Sequence, residues 1–155
     1  MVATGTLIRV EQIAHGIFNL ATQFCLDLPR ARRRLGDLKE TEFLTLVILQ
    51  GQGTMIVGDI QRILGVLPAQ MSRVIRSLEE RDHPLISCQI NPRDKRKIDV
   101  CLTGEGERAL QEHQTLYLGA INKLLDRLAE EDLECLSHVL AKIEAPQQQQ
   151  QGYQV

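Results

Sequence analysis

Apolar residues recur at intervals of three and four through the first part of the chain: Leu7, Val10, Ala14, Ile17, Ala21, Phe24 and Leu28. That spacing lines one stripe of an α-helix, and Ile13 and Leu20 widen it, so the helix is expected to pack on more than one neighbour. Pro29 is expected to end it, because proline lacks an N–H and its ring crowds the preceding turn. A basic connector follows, RARRRLG (30–36). Asp37 and Glu40 then stand in capping-box register before ETEFLTLVILQ, apolar nearly all round and therefore a buried helix. Gly51 and Gly53 should close it. Val57, Ile60, Ile63 and Leu64 mark a short third helix stopped by Gly65, and Pro68 suits the first turn of a fourth. In this fourth helix Met71, Val74, Ile75 and Leu78 follow the helical period. The pattern then becomes strand-like in LISCQI (85–90) and IDVCLT (98–103). Thr103 is a suitable N-cap for a long helix with Glu105 and Glu107 near its start, where negative charge is favourable. Its stripe reads Leu110, His113, Tyr117, Ala120, Ile121, Leu124, Leu128. A last helix carries Leu133, Leu136, Val139, Leu140 and Ile143, and the Gln-rich stretch 146–155 is expected to be disordered.

Between the two strand-like runs, Arg93, Lys95, Arg96 and Lys97 crowd five positions together with Asp94. Asn91 and Pro92 fit a chain reversal. A cationic loop at the tip of a two-stranded ribbon suits the negatively charged edge of a DNA groove. A packed helix followed at once by such a ribbon reads as a winged helix-turn-helix. The expected fold is mainly α with a small β-hairpin wing. Residues 1–36 form an N-terminal dimerisation helix, 37–103 the winged helix-turn-helix, and 104–145 the C-terminal dimerisation helices. The terminal helices are more apolar than a small central domain can cover, and twofold pairing with a second copy would bury them in an obligate-type homodimer.

Charge sharpens this picture. The net charge is only −2, but from Arg30 to Lys97 there are 13 Lys/Arg against 8 Asp/Glu, and from Gly104 to Ala145 there are 4 against 9. One pole is built to face an anion, the other to face solvent or a partner. With no Trp, two Tyr and three Phe, the core must come from Leu, Ile, Val and Ala. The four cysteines (Cys25, Cys88, Cys101, Cys135) are dispersed, no leader-like segment opens the chain, and no 18-residue apolar run occurs. A reducing cytoplasmic location without a membrane partner is expected. No nucleophile–base pair or paired acidic site stands out, and GEGE (104–107) lacks the lysine of a phosphate loop, so an enzyme is not expected.

VGDIQRILGVLPAQMSRVIRSLEE followed by DKRKIDVCLTGEGERAL resembles the MarR family of bacterial transcription regulators, over roughly residues 7–145. The carriers are the helix-turn-helix, the D-x-R of the wing and the LT-x-x-G start of the next helix. The resemblance implies a homodimer built from the terminal helices, two winged lobes, a pseudo-palindromic operator, and a small phenolic or other ligand, or an oxidant, that relieves binding. Three departures stand out. Ile56 and Leu67 replace the Ser or Thr that relatives often use to cap the third and fourth helices. Asp82 occupies a position where relatives have Gly, and His83–Pro84 is extra.

Burial of the fourth helix's apolar stripe turns Ala69, Gln70, Ser72, Arg73, Arg76 and Ser77 outward. Gln70 and Arg73 lie where a recognition helix reaches base edges, and Arg76 is better placed for a phosphate. The plainer alternative is a solvated helix face. The resemblance places Arg96 at the wing tip, reaching into the minor groove. Asp94 is the wing carboxylate that orients it, with Arg93, Lys95 and Lys97 on phosphates. Arg30, Arg32, Arg33 and Arg34 either touch flanking phosphates or form a solvated connector. If the hairpin register summed to about 189, Cys88 and Cys101 would be cross-strand neighbours and a redox pair; buried thiols acting as small hydrophobes are commoner. Cys25 invites comparison with the peroxide-sensing branch of the family, but no Tyr lies near it in sequence. Cys135 and His138, with His113, could ligate zinc, but one C-x-x-H on an amphipathic helix favours packing over metal. No metal or cofactor is expected. A winged-helix module that binds protein instead of DNA is the competing reading.

Overall fold

The computed structural model describes residues 2–32 and 38–144, with side chains in the first helix described for residues 8–26. The elements run α1 (Val2–Arg32), α2 (Glu40–Gln52), β1 (Met55–Ile56), α3 (Val57–Leu64), α4 (Pro68–Glu79), β2 (Ile86–Ile90), β3 (Ile98–Leu102), α5 (Gly104–Leu125) and α6 (Glu130–Glu144). The chain divides into two compact units between Leu116 and Tyr117. The first holds the winged helix-turn-helix. Arg33, Arg34, Asp37 and the Gln-rich stretch lie outside the described residues.

The core of the first unit is aliphatic apart from one methionine: Leu38, Leu46, Leu49, Ile60, Met71, Val74, Leu78, Leu85, Ile86, Val100 and Leu110 are buried. Fully burying each such side chain stabilises the fold by about 1.5–3 kcal/mol. Ile75 packs at the margin of this cluster. α2 ends at Gly53, whose φ of 76° places it where other residues are strained and whose N–H donates to the Leu49 carbonyl (2.8 Å). Gly65 ends α3 in the left-handed region at φ 63°. Pro68 occupies the first turn of α4 as expected. Ile56 and Leu67 are the N-cap residues of α3 and α4, and neither makes a side-chain cap hydrogen bond.

Four local expectations change. α1 continues to Arg32, three residues past Pro29; proline removes one intrahelical hydrogen bond but does not prevent the chain from holding helical dihedrals. At the N-terminus of α2 the N-cap is Lys39 and the residue reaching back to it is Glu42, not Glu40: the Lys39 N–H donates to Glu42 Oε2 at 3.0 Å. α5 stops at Leu125, because Arg127 and Leu128 N–H groups donate to Leu124 and Leu125 carbonyls in a tighter turn. The ribbon is also part of a three-stranded antiparallel sheet, ordered β1-β3-β2. Met55 pairs with Val100 and Ile56 with Asp99. Two residues are too few to show the alternation by which a strand is read.

The junction of α4, β2 and α5 is knotted by main-chain contacts. Leu85 N–H donates to the Leu78 carbonyl (2.9 Å), and Thr103 N–H donates to the Leu85 carbonyl (3.2 Å). Thr103 Oγ1 donates to the Pro84 carbonyl (2.6 Å) and accepts from Gly106 N–H (3.0 Å), which makes it the cap of α5. The Pro84 carbonyl thus supplies an acceptor for this junction. A Cβ on Gly106 would overlap the Leu85 carbonyl oxygen and press on the Leu102 side chain at 3.0 Å. Only glycine fits.

Gly106→Ala is therefore expected to destabilise the fold by about 2–3 kcal/mol, read as a lower urea midpoint. Gly104→Ala, at a position where a Cβ meets nothing within 4 Å, is expected to leave that midpoint at or above the parent value.

Candidate nucleic-acid interface

α4 buries Met71, Val74 and Leu78, and the opposite face stands in solvent: Ala69, Gln70, Ser72, Arg73 and Arg76 are all exposed. Arg73 has no ion-pair partner among the described residues. The Arg76 Nε lies 3.9 Å from Glu80 Oε1, both largely exposed, a contact of little energetic weight. Ser72 Oγ donates back to the Pro68 carbonyl at 3.0 Å. No acidic residue lies in the first turn of α4, so the positive end of its dipole is not offset locally.

Ser77 does not belong to this face. Its Oγ donates to Glu42 Oε1 at 2.6 Å. Glu42 is 2% exposed, and its Oε2 also accepts from Arg81 Nη2 at 3.0 Å. Arg81 Nε in turn donates to the Ser77 carbonyl at 3.2 Å. The sequence offered no local signal for this cluster, whose members come from two helices and the segment after α4.

The wing loop is built by side chains that replace missing main-chain contacts. Asn91 Oδ1 accepts from the N–H groups of Arg93 and Asp94, each at 2.9 Å. Asn91 Nδ2 donates to Asp99 Oδ1 at 2.8 Å. The loop closes through Asn91 N–H to the Lys97 carbonyl (3.0 Å) and Lys97 N–H to the Asp94 carbonyl (2.9 Å). Asp94 Oδ1 accepts from both the backbone N–H and the Nε of Arg96, at 3.2 Å each, and Lys97 Nζ lies 3.8 Å from Oδ2. The Arg96 side chain is 90% exposed. It is held at its Nε edge, leaving the outer edge of the guanidinium for an anion. Hydrogen bonds from Arg96, with Lys97 nearby, hold the Asp94 carboxyl below the usual carboxylate range. The ionised form that orients Arg96 is therefore present at neutral pH and is lost only as pH falls through that lowered value. Arg93 and Lys95 are exposed beside it. Ile56, Val57, Gly58, Asp59 and Arg62 from β1 and α3 face Arg96, Lys97 and Ile98 across a groove of about 430 Å³. Arg62, paired with Asp59 at 3.1 Å, is a further cation beside the wing that the periodicity of α3 did not single out.

Residues 38–98, from the segment before α2 to the first residue of β3, match the model of the MarR family. The chain is 28% identical over 102 residues to the HTH-type transcriptional repressor MdtR of Bacillus subtilis, an alignment covering 66% of this chain and 64% of MdtR. Its fold is similar to that of the YusO protein from Bacillus subtilis (TM-score 0.68, 23% identity, 86% of this chain and 93% of that one). It is also similar to a mutant of S. aureus MepR solved bound to an oligodeoxyribonucleotide (TM-score 0.54, 23% identity, 87% and 92%). The segment 38–98 is similar to the MarR family.

The wing also corrects the cysteine reading. β2 and β3 pair Cys88 with Val100 and Ser87 with Cys101, so the register sums to 188. Paired residues share a face and successive residues alternate, so Cys88 and Cys101 lie on opposite faces of the ribbon. They are not cross-strand neighbours. Cys101 Sγ instead donates to the Ser87 carbonyl at 3.8 Å. Cys88 lies on the side of the buried Val100 and packs against the core. Burial, aided by the negative charge of Glu79, pushes its thiol up to about 11. Cys25 and Cys135 are exposed. His113 is buried, its ring centroid 5.0 Å from that of Phe43. Among the described residues no group of three or more His, Cys, Asp and Glu is arranged to hold a metal.

Because the thiolate is the reactive form, Cys88 in a Cys25→Ser/Cys135→Ser variant is expected to resist iodoacetamide at pH 7–8. Its labelling, followed by peptide mass spectrometry, should rise only as pH approaches about 11. The raised value also means that this thiol's contribution to stability is complete below the ordinary cysteine range and declines as pH rises toward 11.

Proposed function

We propose that this chain is a sequence-specific DNA-binding regulator, acting as a repressor, that grips a pseudo-palindromic operator as a homodimer. The observation that carries this reading is the wing tip: Arg96 projects from a closed loop, oriented by Asp94, with Arg93, Lys95 and Lys97 around it. A narrow A·T-rich minor groove concentrates negative potential and attracts such an arginine. α4 supplies the second half of the site. Arg73 pairs with guanine and Gln70 with adenine in the major groove, while Ala69 and Ser72 line the approach and Arg76 takes a phosphate. The names of the relatives agree with this, since MdtR is a repressor and a MepR mutant was solved on an oligodeoxyribonucleotide.

Dimerisation uses the terminal helices. Ile8, Val10, Ile13, Ile17, Phe18, Leu20 and Leu26 of α1 are each more than half exposed, and Val139, Leu140 and Ile143 of α6 are about half exposed. A second copy would bury these stripes. A small ligand or an oxidant relieves binding, and the protein works in the cytoplasm, where it meets its operator. No described helix is long and apolar enough to cross a membrane.

A protein-binding module would have no general need for four clustered cations. In vitro selection with purified, reduced protein should return an inverted repeat with half-sites one helical turn apart. On that operator Arg96→Ala is expected to weaken binding, and Arg73→Ala to lower discrimination at one base pair by about 1–3 kcal/mol. Affinity should fall about 10³–10⁵-fold between 50 and 200 mM salt if roughly 6–10 phosphates are neutralised. Salt-independent binding to a protein partner, with no selected motif, would replace this reading with the protein-binding one.

A further inference from the structure

We infer that the Glu42–Ser77–Arg81 cluster is a positioning device that sets the pitch of α4 in the major groove, and so controls operator discrimination without touching DNA. The inference rests on the DNA-binding reading above. A single carboxylate, 2% exposed, accepts hydrogen bonds from three places: the Lys39 N–H at the start of α2, the Ser77 hydroxyl in the last turn of α4, and the Arg81 guanidinium beyond it. Arg81 also folds back to cap the Ser77 carbonyl. The first turn of one helix is thereby fastened to the last turn of another through charge-assisted bonds, whose length and direction are narrowly set. The hydrophobic driving force between α2 and α4 is itself non-directional, so the hydrogen bonds add an angular constraint to the packing.

The lever arm makes this matter. Gln70 lies seven residues before Ser77, about 10 Å along the helix axis at 1.5 Å per residue. A tilt of about 10° about the clamped end moves Gln70 by about 2 Å, whereas a productive polar constellation tolerates about 0.5 Å. Arg73, four residues from the clamp, moves by about 1 Å. Phosphate contacts from the exposed lysines and arginines of the wing follow such a shift because their side chains are long and the attraction is not directional. Releasing the clamp should therefore cost base readout and spare non-specific binding.

The test compares the full-length chain with Glu42→Gln, measuring affinity for the selected operator and for an unrelated duplex of equal length across a salt series. Glu42→Gln retains an acceptor for Ser77 but loses the ionic hold on Arg81. The expected result is a tenfold or larger drop in the operator-to-unrelated affinity ratio, with unrelated-duplex affinity and the salt slope unchanged. Leu110→Ala, a core change on α5 chosen for its loss of stability, should lower the melting temperature without lowering that ratio. Arg81→Gln, at a side chain 29% exposed, serves as the second variant if Glu42→Gln does not fold, and should lower the ratio in the same way. The Glu42→Gln/Arg81→Gln double variant, whose two amides can pair without charge, should regain part of it. An unchanged ratio in Glu42→Gln and Arg81→Gln, or a parallel fall on both duplexes, overturns the inference and leaves the cluster a stability element. A parent chain that binds both duplexes alike overturns the regulator reading itself, a result visible before any variant is made.

Discussion

Burial of Met71, Val74 and Leu78 on one side of α4 is the constraint from which the rest of the winged lobe follows. The stripe needs an apolar surface to cover it, and Leu46 and Leu49 of α2, Ile60 of α3, and Ile86 and Val100 of the sheet belong to the same core. Once those contacts are made, helical periodicity leaves Gln70, Arg73 and Arg76 no choice but to face outward. The same packing brings the end of α4 against the start of β2, where the Leu78–Leu85 hydrogen bond and the close approach of Gly106 to the Leu85 carbonyl fix where the ribbon leaves the body. Core, outward polar face and wing are therefore consequences of one arrangement.

Electrostatics acts on this scaffold through geometry more than through energy. Asp94 and Arg96 are too exposed for their pairing to add much stability, since such surface contacts are worth little in water. Their value is orientation: a carboxylate that accepts from the Arg96 backbone and from its Nε leaves one edge of the guanidinium available for an anion. An acidic residue inside a cationic loop looks contradictory when charge is merely summed. It is intelligible once the loop is seen as a holder for one arginine. Glu42 represents the opposite regime. It is buried, fully engaged by hydrogen bonds, and joined to groups 35 and 39 residues away in the chain. There, directionality comes with a large cost for losing a partner.

Much of the architecture was legible along the chain because its signals are local. Gly65 stops α3, Pro68 opens α4 and Thr103 caps α5 where spacing and residue chemistry place them. The Ile56 and Leu67 caps lack side-chain hydrogen bonds, in keeping with their aliphatic chemistry. The wing's Asp94–Arg96 contact was legible through the resemblance that its D-x-R carries. Other features were not. β1 is two residues long, Pro29 does not end its helix, and Ser77, one helical position from an outward arginine, turns inward to a carboxylate on α2.

What the amino-acid order determined by itself is everything set within a few residues: helix stripes, their punctuation, the cationic turn and the aliphatic makeup of the core. The tertiary structure alone decided which side of the ribbon each cysteine faces, because a register sum of 188 rather than 189 inverts one strand's faces relative to the other. It alone decided the partner of Ser77 and the true cap of α2, because Glu42 chooses among donors that only folding brings within reach. Periodicity is a property of a segment, whereas register and buried pairing are properties of segments meeting, and no single stretch of chain contains them.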